Sequence, residues 1–266
     1  MRPRFFTGSF SSHALACCAL LVCFFAPATT VVATTGQVVV RENVSQNKRQ
    51  DLVNRLRAIT GLNGLGFDSN GVLRLGERQT DQGSQSARDL LTLAVTGDKV
   101  IVVEDASGRS DVAFCRVVPG RWLSDGNKVP AFVVLVDFSD FRQIIGDDEA
   151  RAAFDLGWGF LHELDHVVRD SKDPEEPGAV GECEAHINVM RREVGLPQRV
   201  DYFFTVSSLK VDPNFGTNLV RLAFEQYDNG KSRTRRYWLV WDSTAVGGLV
   251  VNGQTAAVRA ARNSTN

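Results

Sequence analysis

The residues with the most chemical potential lie in one short stretch, Phe160-Leu161-His162-Glu163-Leu164-Asp165-His166. Residues four apart on a helix project from one face, so His162 and His166 can converge on a single ion while Glu163 stands beside it. Zinc suits two imidazoles plus a third protein donor and one open position. The ion would acidify a bound water, Glu163 would take the proton as general base, and a polarised carbonyl is the expected target. Histidine is scarce elsewhere: of four in the chain, His162, His166 and His186 fall within 25 residues.

These side chains need rigid support, and the surrounding pattern supplies it. Acids at Asp147 and Asp148, followed by apolar residues from Ala150 to Val168 at helical spacing, predict one long helix over 147–169. A polar loop over 170–178 follows, read as solvated because Pro174, Pro177 and Lys172 argue against its acids, Asp173 among them, holding calcium. A second helix is expected over 179–194, ended by Gly195 with Pro197 beyond. Its apolar stripe passes through Cys183 and Ile187, with Glu182 and His186 on one flank and Glu184 and Asn188 on the other. Glu182, Glu184 and His186 are therefore the candidates for the third ligand. Asp165 is expected to face solvent, Cys183 to be a core thiol and Tyr202 to be an ordinary strand residue, with a role as oxyanion donor its less ordinary alternative.

The two histidines with a glutamate on a following helix resemble the gluzincin branch of zinc metallopeptidases. The resemblance spans about residues 147–195. Glu182-x-x-Ala185-His186 is similar to one family element, implying Glu182 as ligand and His186 as its neighbour. Glu184-Ala185-x-x-Asn188 is similar to the thermolysin-like element, implying Glu184 and Asn188 instead. Asp165 and the short gap between His166 and either glutamate depart from the pattern. The resemblance implies a zincin-like α+β fold and a zinc-dependent peptidase acting on peptides or proteins, with Glu163 catalytic and His162, His166 and Glu182 or Glu184 on the metal. The alternative is a non-catalytic exported binding or structural protein whose metal site is structural or vestigial.

The remainder reads as a small sheet packed on those helices, with a C-terminal β-hairpin. Shorter helices are expected over 48–59 and 86–95, and strands over 72–75, 100–104, 111–118, 129–138 and 202–206. Asp105-Ala106-Ser107-Gly108 suggests a hairpin joining the strands over 100–104 and 111–118, and Asp228-Asn229-Gly230 another joining 219–227 to 234–241. Trp238 and Trp241, on opposite faces of the last strand, do not form a binding stripe.

Residues 1–33, with Arg2 and Arg4 before an apolar run from Ala14 to Ala26, read as a signal peptide, placing the protein in a secreted or periplasmic compartment without stable membrane insertion after cleavage. A single domain is expected over 34–254 and a disordered tail over 255–266. With the signal go three of five cysteines, which excludes a disulfide scaffold and leaves one possible bridge, Cys115–Cys183. The whole chain has net charge −1 and 43% hydrophobic residues, and losing two arginines leaves the mature chain at −3. Nothing there offers a nucleic acid the basic surface it needs.

Overall fold

The computed structural model describes residues 36–247, apart from 77–81, 125, 213–214 and 229. The expected signal peptide and tail lie outside them. The elements in chain order are β1 (Gln37–Val40), α1 (Gln46–Thr60), β2 (Gly66–Phe67), β3 (Leu73–Arg74), α2 (Gln85–Thr96), β4 (Val100–Asp105), β5 (Cys115–Ser124) and β6 (Asn127–Val136). After a 3-10 turn over Asp140–Arg142 come β7 (Ile145–Gly146), α3 (Asp148–Ala153), α4 (Leu156–Arg169), α5 (Glu182–Glu193), β8 (Gln198–Arg199), β9 (Thr205–Asp212), β10 (Phe215–Asp228) and β11 (Arg233–Asp242). Separate sheets and helices make this an α+β protein. None of its described helices is long and apolar enough to cross a membrane.

The first sheet has the order β1-β4-β6-β5, with β1, β4 and β6 parallel and β5 antiparallel at the edge. The hairpin expected between β4 and β5 is therefore not formed. Val100, Ile101, Val102 and Val103 are all buried, as suits a central strand covered on both faces. The Asp105–Ser107 turn is instead pinned from outside the strands, with Lys48 donating to the Asp105 carboxylate at 2.5 Å and Gly108 N–H to Asp137 at 2.8 Å. The hairpin lies one strand later: β5 and β6 pair from Cys115↔Val136 to Ser124↔Asn127 around Gly126 (φ 79°).

One face of this sheet, through Val38, Ile101 and Val134, meets α1, α2, α4 and α5 in the main core; the other, through Val39, Val102 and Val133, closes over Val112 and Trp122. Helix α1 starts where Ser45 caps it and stops at Gly61, whose φ of 72° suits glycine. The long helix expected over 147–169 is two helices. Asp155 breaks it, its carboxylate accepting from the Gly157 and Trp158 N–H groups as the N-cap of α4. Gly159 on α4 leaves room for its neighbours, since a Cβ there would lie 2.9 Å from the Phe141 ring and 3.3 Å from Cys115 Sγ.

The expected C-terminal hairpin is present and longer than read, pairing Leu219↔Asp242 through Asp228↔Arg233. It belongs to a second sheet, β7-β11-β10-β8 with β9 also on β10. A separate apolar cluster lines this sheet, including Leu222, Phe224, Tyr237, Leu239 and Trp241.

Candidate metal centre

Helix α4 presents His162 and His166 toward one point, their Nε2 atoms 3.1 Å apart. The loop after α4 turns sharply at Asp170, in the left-handed region at φ 56°, and returns Asp173 to the same point. Asp173 Oδ1 stands 3.2 Å from His162 Nε2, and Oδ2 3.4 Å from His166 Nε2. Two donors about 2.1 Å from a shared ion, at tetrahedral angles, would be roughly 3.4 Å apart. The donor atoms of His162, His166, Asp173 and Cys183 all lie within 4.8 Å of one another, so this group could hold a metal ion.

Three observations on the chain itself fit that use. Asp173 Oδ1 is buried and accepts no hydrogen bond among the described residues. His166 Nδ1 donates to the Ser171 carbonyl at 2.7 Å, which fixes the ring and leaves Nε2 as the nitrogen facing inward. His162 Nδ1 stands 3.2 Å from Glu184 Oε2, giving the other imidazole a matching outer partner.

The electrostatics agree. Burial opposes protonation of both histidines, yet Asp173 and Cys183 outweigh it, holding the His162 pKa well above its usual value and raising that of His166 to about 11. Burial pushes the Asp173 carboxyl up, but His162 and His166 bring it far below the carboxylate range. The pocket thus stabilises positive charge at the point where the donors meet.

Glu163 is buried beside them, and its Oε2 accepts from Val117 N–H on edge strand β5 at 2.8 Å. Burial raises its pKa, against the lowering pull of His162 and His166. That bond fixes one carboxylate oxygen, and Oε1 takes no part in it.

The glutamates expected as third ligands are placed otherwise. Glu182, the first residue of α5, is exposed and outside the donor group. Glu184 is buried behind His162, paired with Arg191 and, at 3.2 Å, with Arg199. Burial works against its ionised form, but Arg191 and Arg199 prevail and hold its pKa well below the usual glutamate range. His186 turns from the donors to Asp165, its Nδ1 2.8 Å from Oδ2. Asp165, expected in solvent, is fully buried and also accepts from Arg169 and Ser171 Oγ, tying both helices to the loop between them. Asn188 accepts from Arg199 N–H and Arg191, and so braces the arginines that brace Glu184.

Tyr202 stacks on His162 at 5.9 Å between centroids, and its hydroxyl donates to Asp173 Oδ2 at 2.6 Å. It positions the carboxylate and is not the free oxyanion donor considered from sequence. Cys115 and Cys183 are both free thiols. Asp173, which the sequence places in a solvated loop, instead stands among the donors. Its signal was position: seven residues beyond His166, in a loop short enough to fold back over the helix end.

Beside Glu163 and His162 opens a cavity of about 220 Å³ that reaches the second sheet. Phe114, Phe154, Phe204, Leu222 and Trp241 contribute to its walls. Phe114 adopts φ 62°, held there by its N–H bond to Asp140 Oδ2 at 2.9 Å, and its ring packs edge-on against Phe154 and Trp241. Trp241, set aside from sequence, is therefore a wall of the site. No family model, no curated protein and no solved structure matches this chain.

Proposed function

We propose that this protein is a zinc-dependent hydrolase of peptide bonds, with His162, His166 and Asp173 as the metal ligands and Glu163 as the general base. The observation that carries the reading is the joint placement of Glu163 and the three inward-facing donors, each histidine braced from behind. Zinc held there supplies a Lewis acid and a water of lowered pKa. The chain's own part is to keep the Nε2 lone pairs and Asp173 converging, to exclude bulk water, and to accept a proton at Glu163. Burial favours the protonated form of Glu163, so the carboxylate readily takes a proton and then passes it to the leaving amine. The reading includes a zincin-like arrangement, in which edge strand β5 runs beside the metal helix and ties to the base through Val117. It also keeps the sequence expectation of an exported enzyme acting on peptides or proteins.

The test is direct. Protein incubated with zinc should hold about one ion and cleave an unfolded protein. Glu163→Gln should retain the ion and lose at least a hundredfold in activity, since an amide keeps the shape but takes no proton. Activity surviving in Glu163→Gln would refute its role.

The position of Cys183 favours one rival. With its thiolate as fourth ligand the site would be closed and structural, as in the non-catalytic alternative. The cobalt-substituted protein separates the two. A thiolate-to-metal absorption band lost in Cys183→Ser marks the closed site; its absence from wild type, with activity present, marks the open one.

A further inference from the structure

Asp165 is fully buried, and its carboxylate collects donors from three different parts of the chain. Oδ1 accepts from Arg169, the last residue of α4, at 3.0 Å. Oδ2 accepts from Ser171 Oγ in the following loop at 2.6 Å and from His186 Nδ1 on α5 at 2.8 Å. Taking a carboxylate out of water is costly even when it is well bonded, and an apolar residue often packs a helix at least as well. A buried acid here therefore calls for a reason other than packing.

The reason lies in what Ser171 does next. Its side chain, 4% exposed, is held by Asp165, and its carbonyl accepts from His166 Nδ1 at 2.7 Å. The acid and the ligand histidine, neighbours in sequence, thus grip one loop residue from two sides. Two residues further on, the same loop delivers Asp173, whose Oδ1 and Oδ2 stand 3.2 and 3.4 Å from the Nε2 atoms of His162 and His166. Between them Lys172 supplies the loop with a second tether, its carbonyl accepting from the Glu182 and Cys183 N–H groups at 3.1 and 3.3 Å. Lys172 is tied to the start of α5, and Ser171 to α4. We propose that Asp165 is a positioning residue of the metal centre, acting through Ser171 to set the His166 ring and the loop that presents Asp173. His166 and Asp173 are metal ligands on the reading given above, whereas the link from Asp165 through Ser171 to His166 stands without it.

Asp165→Ala would strip the acceptor from three donors at once, so the link is better cut at its far end. Ser171→Ala removes the hydroxyl and keeps the carbonyl. In the metal-free full chain the His166 Nδ1 proton is followed by NMR; its exchange with water should quicken about tenfold in Ser171→Ala, the worth of one hydrogen bond. In zinc titrations the same variant should bind about 10–100-fold more weakly, the usual loss when the support behind a ligand histidine is disturbed. Lys99→Met is the control. Lys99 Nζ donates to the Val167 carbonyl near the end of the same helix, so this change should lower the melting temperature while zinc affinity and the His166 proton keep their wild-type values. Unchanged zinc affinity in Ser171→Ala would overturn the proposal. So would an equal loss of affinity in Lys99→Met, since general destabilisation would then account for both. A wild type that binds no zinc would instead sink the metal-ligand reading, and the link would stand or fall on the His166 proton alone.

Discussion

Glu184 shows how a residue can support a candidate metal centre without being one of its donors. Its carboxylate backs His162 and neutralises two buried guanidiniums. Glu184→Gln should weaken zinc binding about 10–100-fold, the usual loss when the partner behind a ligand histidine is changed. Glu184→Ala should in addition destabilise the fold by about 3–5 kcal/mol, because Arg191 and Arg199 lose their buried counter-charge. Glu182→Ala should stay within about 0.5 kcal/mol of wild type and bind zinc unchanged, as expected of an exposed position away from the site. Zinc titration and denaturant melts of the three variants check this; a large effect at Glu182 would contradict the placement. His162, Glu163 and His166 were legible in the sequence because their spacing on one helix fixes their relation. The third donor was not, because a loop residue carries no period: Asp173 reaches the site only through the reversal at Asp170. Glu184 stands out in the sequence by its type as one of three candidate ligands, and nothing local reveals that Arg191 and Arg199 surround it.

At the level of elements, hydrophobic period found α1, α2 and α5 and the long C-terminal hairpin, and misread continuity and pairing. The apolar spacing on either side of Asp155 persists, so α3 and α4 read as one helix; the break is a capping event in which a single carboxylate takes two N–H groups. Asp155→Ala should cost roughly 1 kcal/mol, typical of a lost N-cap, lowering the melting temperature by a few degrees in a chain of this size. An unchanged melting temperature would mean that the break is set by packing alone. Strand order failed for a related reason. A run such as Val100-Ile-Val-Val announces a buried strand and is silent on its neighbours, and the turn residues after it were recruited by Lys48 and Asp137 from other parts of the chain.

For the molecule as a whole, one acid sets a pH dependence that can be read separately from the metal. Asp140 is buried near Asp137, and desolvation chiefly raises its pKa from 3.8 to about 6. The folded chain then keeps a proton that the unfolded chain has released, so this group's stabilising contribution is full below about pH 4 and is lost as pH rises through 6. Melting temperatures of wild type and Asp140→Asn, both metal-free, should therefore diverge with wild type losing ground between about pH 4 and 6. A constant difference across that range would show that Asp140 ionises normally in the fold.

The two apolar clusters carry a consequence for how such a protein can change over time. The histidine-bearing helix α4 is anchored in the larger cluster, whereas Val220, Leu222, Trp241 and Val246, which line the cavity, belong to the smaller one; Phe141 and Leu196 touch both. A substitution in the smaller cluster alters what the cavity admits while the donors stay supported by a core it does not reach. Placement of the donors and shape of the cavity are thus separable heritable traits here. Descendants of one ancestral chain can reshape the cavity by repacking the second sheet, with Phe141 and Leu196 the two described positions where that drift meets resistance.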